Sequence, residues 1–193
     1  MRKSEHSINS LILNRWSSRA MSGEELTDEE LMPLFEAARF APSSNNNQPW
    51  RFIYAKRNTT HWSNFFYLLG DFNKQWCRNA SALVLVVSRK KFDYNNELSI
   101  THSFDTGAAW ENLALEASSR GLVAHGMQGF DYGKAREIFN ISDDYNVEAM
   151  IAIGKKGSKE NLPNELQERE VMSDRKPLNK IVFEGKFNEQ ERI

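Results

Sequence analysis

The chain has 193 residues, 40% of them hydrophobic, so it is long enough to bury a sizeable core and too apolar to stay disordered. Its net charge of −1 gives no global field for DNA or RNA, and its one cysteine, Cys77, excludes an internal disulfide and any multi-cysteine metal site. No apolar run approaches membrane-spanning length, and Met1–His6 is followed by no continuous apolar stretch, so the expectation is a soluble cytoplasmic protein without a signal peptide.

Residues 4–14 place Ile8, Leu11 and Ile12 at helical spacing. The next segment, Arg15-Trp16-Ser17-Ser18-Arg19, sets two arginines around a serine pair. In extended backbone alternate side chains share one side, so Arg15, Ser17 and Arg19 could hold a phosphate dianion. A solvated basic turn is the competing reading. Thr27 with Glu30 makes a capping box, and Leu31, Leu34, Phe35, Ala38 and Ala41 carry the helix to Pro42. Ala41–Trp50 follows as a loop dense in amides and hydroxyls: Ala-Pro-Ser-Ser-Asn-Asn-Asn-Gln-Pro-Trp. Such a loop, anchored at both ends, suits the polar edge of a heterocycle, and equally suits a surface turn.

Trp50–Ala55 alternates and reads as a strand. His61–Leu69 is aromatic and helix-compatible. Trp62, Phe65, Phe66 and Tyr67 fit core packing or the wall of a pocket for a flat substrate. Ser81–Ser88 is a continuous apolar run, which predicts a central strand covered on both faces. Asp105–Arg120 is the strongest helix of the second half, closed by Gly121. Its alanines permit close packing inside the core or at a dimer axis. Leu122–Gly129 reads as a short strand ending in a glycine-bearing turn, Lys134–Phe139 as a helix, and Val147–Gly154 as a strand. Lys155–Asp174 is charged and predicts a surface excursion. Leu178, Ile181, Val182 and Phe183 then form an apolar cluster that predicts a tail docked on its own chain or on a partner. Strands separated by helices, with no long linker, give an α+β fold in one domain, residues 1–193.

No dinucleotide fingerprint, phosphate-binding P-loop or assembled Ser-His-Asp set occurs. What remains is an anion site, an amide-rich loop and a glycine turn, the parts of a site for a phosphorylated heterocycle. A redox cofactor needs few catalytic side chains, since the protein supplies binding, orientation and electrostatics.

The order of these motifs resembles the flavin-dependent nitroreductase family over nearly the whole chain. The matching pieces are Arg15–Arg19, Ala41–Trp50, Asp105–Ala109 through Asn112-Leu113 to Gly121-Leu122, Gly129–Asp131, Ala152–Gly154 and Arg175–Leu178. The resemblance implies a three-layer α+β fold, a mostly antiparallel central sheet flanked by helices, and an intertwined homodimer. It implies FMN at the subunit interface and NADPH or NADH as hydride donor. Nitroaromatics, quinones or related electron-poor acceptors would be reduced by a ping-pong mechanism. Carried over by position, Arg15, Ser17, Arg19 and Arg175 would bind the phosphate and ribityl chain. Pro42, Ser43, Ser44 and Asn46 would reach the flavin from the partner subunit. Asn73 would sit near the pyrimidine edge, and Met127, Gln128 and Gly129 would pass the isoalloxazine. No catalytic side chain or metal is expected. The chain departs from larger members at Asn73–Trp76, where some carry a flavin-contacting lysine, and in its shorter length. Another reduction on the same scaffold, such as dehalogenation or enal reduction, and non-catalytic flavin storage are the alternatives.

Overall fold

A computed structural model describes residues 2–187. The chain opens with α1 (Ser10–Asn14) and α2 (Asp28–Arg39), then β1 (Trp50–Lys56). Two short helices follow, α3 (Trp62–Leu68) and α4 (Asp71–Cys77), then β2 (Ala82–Arg89) and the long α5 (His102–Ser119). The remaining elements are β3 (Leu122–Met127), α6 (Tyr132–Ile138), β4 (Tyr145–Lys155) and the single turn α7 (Asn164–Gln167). The sheet has four strands in the order β1-β2-β4-β3, and every neighbouring pair is antiparallel.

The pleat explains the layering. Leu83, Leu85 and Val87 of β2 point to one face, with Met150 and Ala152 of β4, and pack against Phe65, Leu68 and Trp76. Ala82, Val84 and Val86 point to the other, with Ile151 and Ile153, and pack against Leu31, Leu34 and Leu113. Helices α3, α4 and α6 therefore cover one face, and α2 with α5 the other. The continuous apolar run of β2 is what such double coverage requires.

Local chemistry sets the element boundaries. Thr27 and Glu30 exchange hydrogen bonds in the expected capping box, Glu30 N–H to Thr27 Oγ1 at 3.3 Å and Thr27 N–H to Glu30 Oε2 at 2.9 Å. Helix α2 stops at Arg39, two residues short of the expected Ala41, because the backbone ahead of Pro42 is pushed out of helical geometry. Helix α1 is confined to Ser10–Asn14 rather than residues 4–14. Ile8 and Ile12 remain about half exposed, and a short helix without a buried face is not sustained. Helix α4 carried no clear signal in the sequence, yet it buries Asn73, Trp76 and Cys77 on one side. The segment 155–174 is not wholly a surface excursion, since Leu162 and Leu166 are buried in the core. Leu178 N–H bonds Glu5 Oε1 at 2.8 Å, which ties the tail to the N-terminal segment and leaves Ile181, Val182 and Phe183 exposed.

Leu85 is fully buried in the middle of β2. Leu85→Ala should lower unfolding stability by about 2–5 kcal/mol, read from urea unfolding, because a central strand leaves little room to collapse the cavity.

Candidate functional site

The segment that follows α1 is extended but lies outside the sheet. Ser18 and Ala20 are buried, while Arg15, Trp16, Ser17 and Arg19 are only partly covered. Arg15 and Ser17 meet on the open side, with Arg15 Nη1 donating to Ser17 Oγ at 3.5 Å. Both line a cavity of about 400 Å3, together with Trp110 and Glu111 of α5, Gly126 and Met127 at the end of β3, Gln128, and Ala149 of β4. Two parts far apart in sequence, the anion segment and the glycine turn, thus share one wall. Glu111 is the nearby counter-charge, 3.6 Å from Arg15 Nε.

Gly126 lets the cavity wall pack closely. A Cβ there would lie 3.1 Å from the Trp110 ring, so any larger residue would push the indole back from β3 by a few tenths of an ångström. The cavity continues into a smaller one of about 150 Å3, which shares Trp110, Gly126 and Ala149 and adds Ser103, Thr106 and Glu148. Glu148 is placed by an irregularity in the β2–β4 register, where Val86 faces Ala149 and Val87 faces Val147. Its carboxylate accepts from Ser88 Oγ and from Ser103 Oγ, the latter at 2.7 Å. Ser88 Oγ also meets His102 Nδ1 at 2.7 Å. Ser88 is completely buried, and its hydroxyl is engaged with Glu148 and His102.

The other expected residues lie elsewhere in the chain. Arg19 stacks over Phe72, and its Nε is buried with no hydrogen-bond partner among the described residues. Asn73 turns inward: its amide donates to the Gly129 carbonyl at 3.0 Å and accepts from Trp76 Nε1 at 3.3 Å. It therefore holds the turn at Gly129, whose carbonyl also accepts from Gly70 N–H at 2.9 Å. Arg175 lines a separate cavity of about 260 Å3 between the two ends of the chain. Arg2 links it to the first site, donating to Arg15 O at 2.8 Å and to Ser173 O at 2.7 Å. Burial, and then the charges of Arg175 and Arg15, push the Arg2 guanidinium below its ordinary pKa, as expected where cations gather.

Pro42, Ser43, Ser44 and Asn46 lie apart from the Arg15 cavity within one chain. Ser44 N–H bonds Asp105 Oδ2 at 3.0 Å, which fixes the loop to the start of α5, and Gln48 N–H bonds Ser43 Oγ at 3.0 Å. Asn45, Asn46 and Gln48 all adopt left-handed backbone, with φ of 51°, 53° and 49°. Asparagine tolerates this region better than most residues, which accounts for the asparagine density. Asn46 lines a third cavity of about 340 Å3 with Gln48, Arg51 and Tyr94. Of the four aromatics near α3, Phe65 is buried in the core, Trp62 and Phe66 pack against it, and Tyr67 is exposed.

Sequence reasoning missed the residues that hold this framework. Glu170 accepts from Ser18 Oγ at 2.5 Å and from the backbone N–H groups of Arg19 and Ala20 at 2.8 and 2.9 Å. It sits in a charged run that offers no periodic signal. His125 of β3 bonds the Ser18 carbonyl through Nδ1 at 3.0 Å, and its ring lies 4.6 Å from that of Trp76.

The chain belongs to the nitroreductase family, whose model matches residues 12–61 and 54–155. A solved structure described as an oxidoreductase containing FMN is 44% identical, with a TM-score of 0.92 over 97% of this chain and 96% of that one. A protein of Archaeoglobus fulgidus, provisionally named an NADH dehydrogenase/NAD(P)H nitroreductase, is 29% identical over 75% of this chain and 82% of its own length. An oxygen-insensitive NADPH nitroreductase of Helicobacter acinonychis is 38% identical over a shorter stretch, 41% of this chain and 38% of that protein.

Burial lowers the His125 pKa from its ordinary 6.5; the hydrogen bond to the Ser18 carbonyl opposes it next most strongly, the Arg19 charge adds a smaller lowering effect, and Glu170 and the Ser17 backbone oppose it more weakly. A histidine whose folded pKa is depressed binds fewer protons folded than unfolded. Its stability contribution is therefore complete above its ordinary pKa and is lost as pH falls below it. Unfolding free energy should drop between about pH 7.5 and 5.5, and His125→Asn, which keeps an amide donor for Ser18, should flatten that slope in urea titrations.

Proposed function

We propose that the chain is a single-domain FMN-dependent oxidoreductase that takes hydride from NADPH or NADH and reduces electron-poor acceptors such as nitroaromatics and quinones. The observation that carries the reading is the shared wall of the 400 Å3 cavity, where Arg15 and Ser17 face Met127 and Gln128. An anion-holding pair beside the end of a strand matches a ligand with a phosphate at one end and a flat ring at the other. The FMN-containing structure at 44% identity and the NAD(P)H nitroreductase relatives support the cofactor and the donor.

The residues present fit that cofactor. Arg15 offers charge and fork geometry to a phosphate, and Ser17 adds a hydroxyl. The unpartnered Arg19 Nε is a buried donor that a phosphate or ribityl oxygen would satisfy. Arg175 would join from the C-terminal arm, through the arginine cluster that Arg2 spans. Met127, Gln128 and Gly129 would border the ring, with Asn73 holding Gly129 in place. When bound, FMN supplies a carrier that accepts hydride from the nicotinamide and passes electrons to a second substrate in a separate half-reaction, which is the basis of the ping-pong scheme. The protein's part is to orient the ring, limit water and place positive charge or donors where negative charge accumulates.

Pro42, Ser43, Ser44 and Asn46 lie outside this cavity in one chain, so the reading includes a homodimer in which a second copy presents that loop. Three left-handed residues fixed by hydrogen bonds support a specified shape, since strain of this kind is kept where a site needs it.

The visible spectrum of the purified protein tests the reading. Flavin bands that bleach anaerobically with NADPH or NADH, and return on adding a nitroaromatic, are the expected result. Bands that neither donor bleaches would point to flavin storage. A colourless protein that FMN does not reconstitute would overturn the proposal. Arg15→Ala combined with Arg175→Ala should weaken FMN binding by on the order of tenfold or more, and unchanged affinity would sink the phosphate assignment.

A further inference from the structure

Among the described residues, no strand backbone pairs with Arg15 to Arg19, and from the sheet only the His125 side chain reaches this backbone, at the Ser18 carbonyl. Strand-like pairing begins only at its far end, where Gly157 N–H bonds Ala20 O at 2.9 Å and Ser22 N–H bonds Lys155 O at 3.0 Å. Side chains from remote places supply the remaining partners. Glu170 makes the densest set. Its Oε1 accepts from Ser18 Oγ at 2.5 Å, Arg19 N at 2.8 Å and Ala20 N at 2.9 Å, and its Oε2 from Arg19 N at 3.2 Å. Its own position is fixed, because Leu162 and Leu166 are buried just ahead of it and Glu170 N–H bonds Gln167 O at 3.2 Å.

We infer that Glu170 is a positioning residue for the phosphate site, an inference that rests on the FMN reading above. Its carboxylate grips Ser18 Oγ and the backbone N–H groups of Arg19 and Ala20, and so fixes the end of the segment whose Arg15 and Ser17 side chains line the cavity. Loss of that grip would free the segment to withdraw both donors. The carboxylate also occupies two consecutive N–H groups that would otherwise draw an anion. A phosphate is thereby left to the arginine and serine side chains.

Charge and position predict opposite outcomes. Removing a carboxylate near a phosphate would, by electrostatics alone, strengthen binding of a dianion. Loss of the clamp would weaken it. Glu170→Ala should therefore lower FMN affinity on the order of tenfold to a hundredfold while leaving riboflavin, which lacks the phosphate, within about twofold of wild type. Glu170→Gln keeps one acceptor oxygen and should show a smaller loss of the same selectivity. Fluorescence quenching titrations with FMN and riboflavin read both affinities, and circular dichroism checks the fold. Tighter or unchanged FMN binding overturns the inference, and so does an equal loss for the two flavins, which would mark a purely structural role. Should Glu170→Ala fail to fold, the same comparison on Glu170→Gln decides. A wild-type protein that binds neither flavin removes the functional reading and the inference together, whereas wild-type binding with unaffected variants removes the inference alone.

Discussion

Burial of β2 on both faces is the constraint from which the rest follows. A strand with no polar face must be covered above and below. Neighbours β1 and β4 satisfy its backbone, and two helical layers cover its side chains. Ala109, Leu113 and Ala117 press α5 onto one of those faces. Trp110, partly buried against the same core, and the more exposed Glu111 then form one wall of the cavity. The same helix therefore packs the core and shapes the site.

Held on that frame is a segment with almost no regular structure. Backbone groups in a buried or half-buried segment must find partners. Here Arg2, His125 and Glu170 provide them, from the N-terminus, β3 and the C-terminal arm. The arrangement couples distant parts of the chain to the presentation of Arg15 and Ser17. It also explains why the charged segment around Glu170 is built against the segment that follows α1.

The sequence made the sheet readable because strand signals are local. The apolar run of β2, the alternation of β1 and the capping box at Thr27 each depend on residues within a few positions. Boundaries slipped where tertiary context decides, as at α1, whose apolar side finds no core. Arg15, Ser17, Met127 and Gln128 were legible because small motifs mark them, and the fold brings those motifs together. Glu170, His125 and Trp110 were not. Glu170 and His125 act through contacts more than a hundred residues away, and Trp110 packs against the core while it also lines the cavity. Nothing in a charged run distinguishes a clamp from a solvated surface. Asn73 is a different case: its position was noticed, but only the fold shows that both ends of its amide are engaged inside the chain.

The asparagine loop shows how strain and anchoring go together. Left-handed backbone at Asn45, Asn46 and Gln48 costs free energy, so the loop keeps its shape only if other contacts over-determine it. Those contacts are present at both ends. Asp105 holds Ser44, and Asn47 closes the far side through Asp93 N–H at 2.9 Å and Lys91 O at 3.4 Å. A mere connection between α2 and β1 would relax into common turn geometry and need neither. Because Asp105 belongs to α5, any displacement of α5 shifts the loop and the Trp110 wall together. Loop and cavity are thus coupled through one helix, although they do not share a cavity within a single chain.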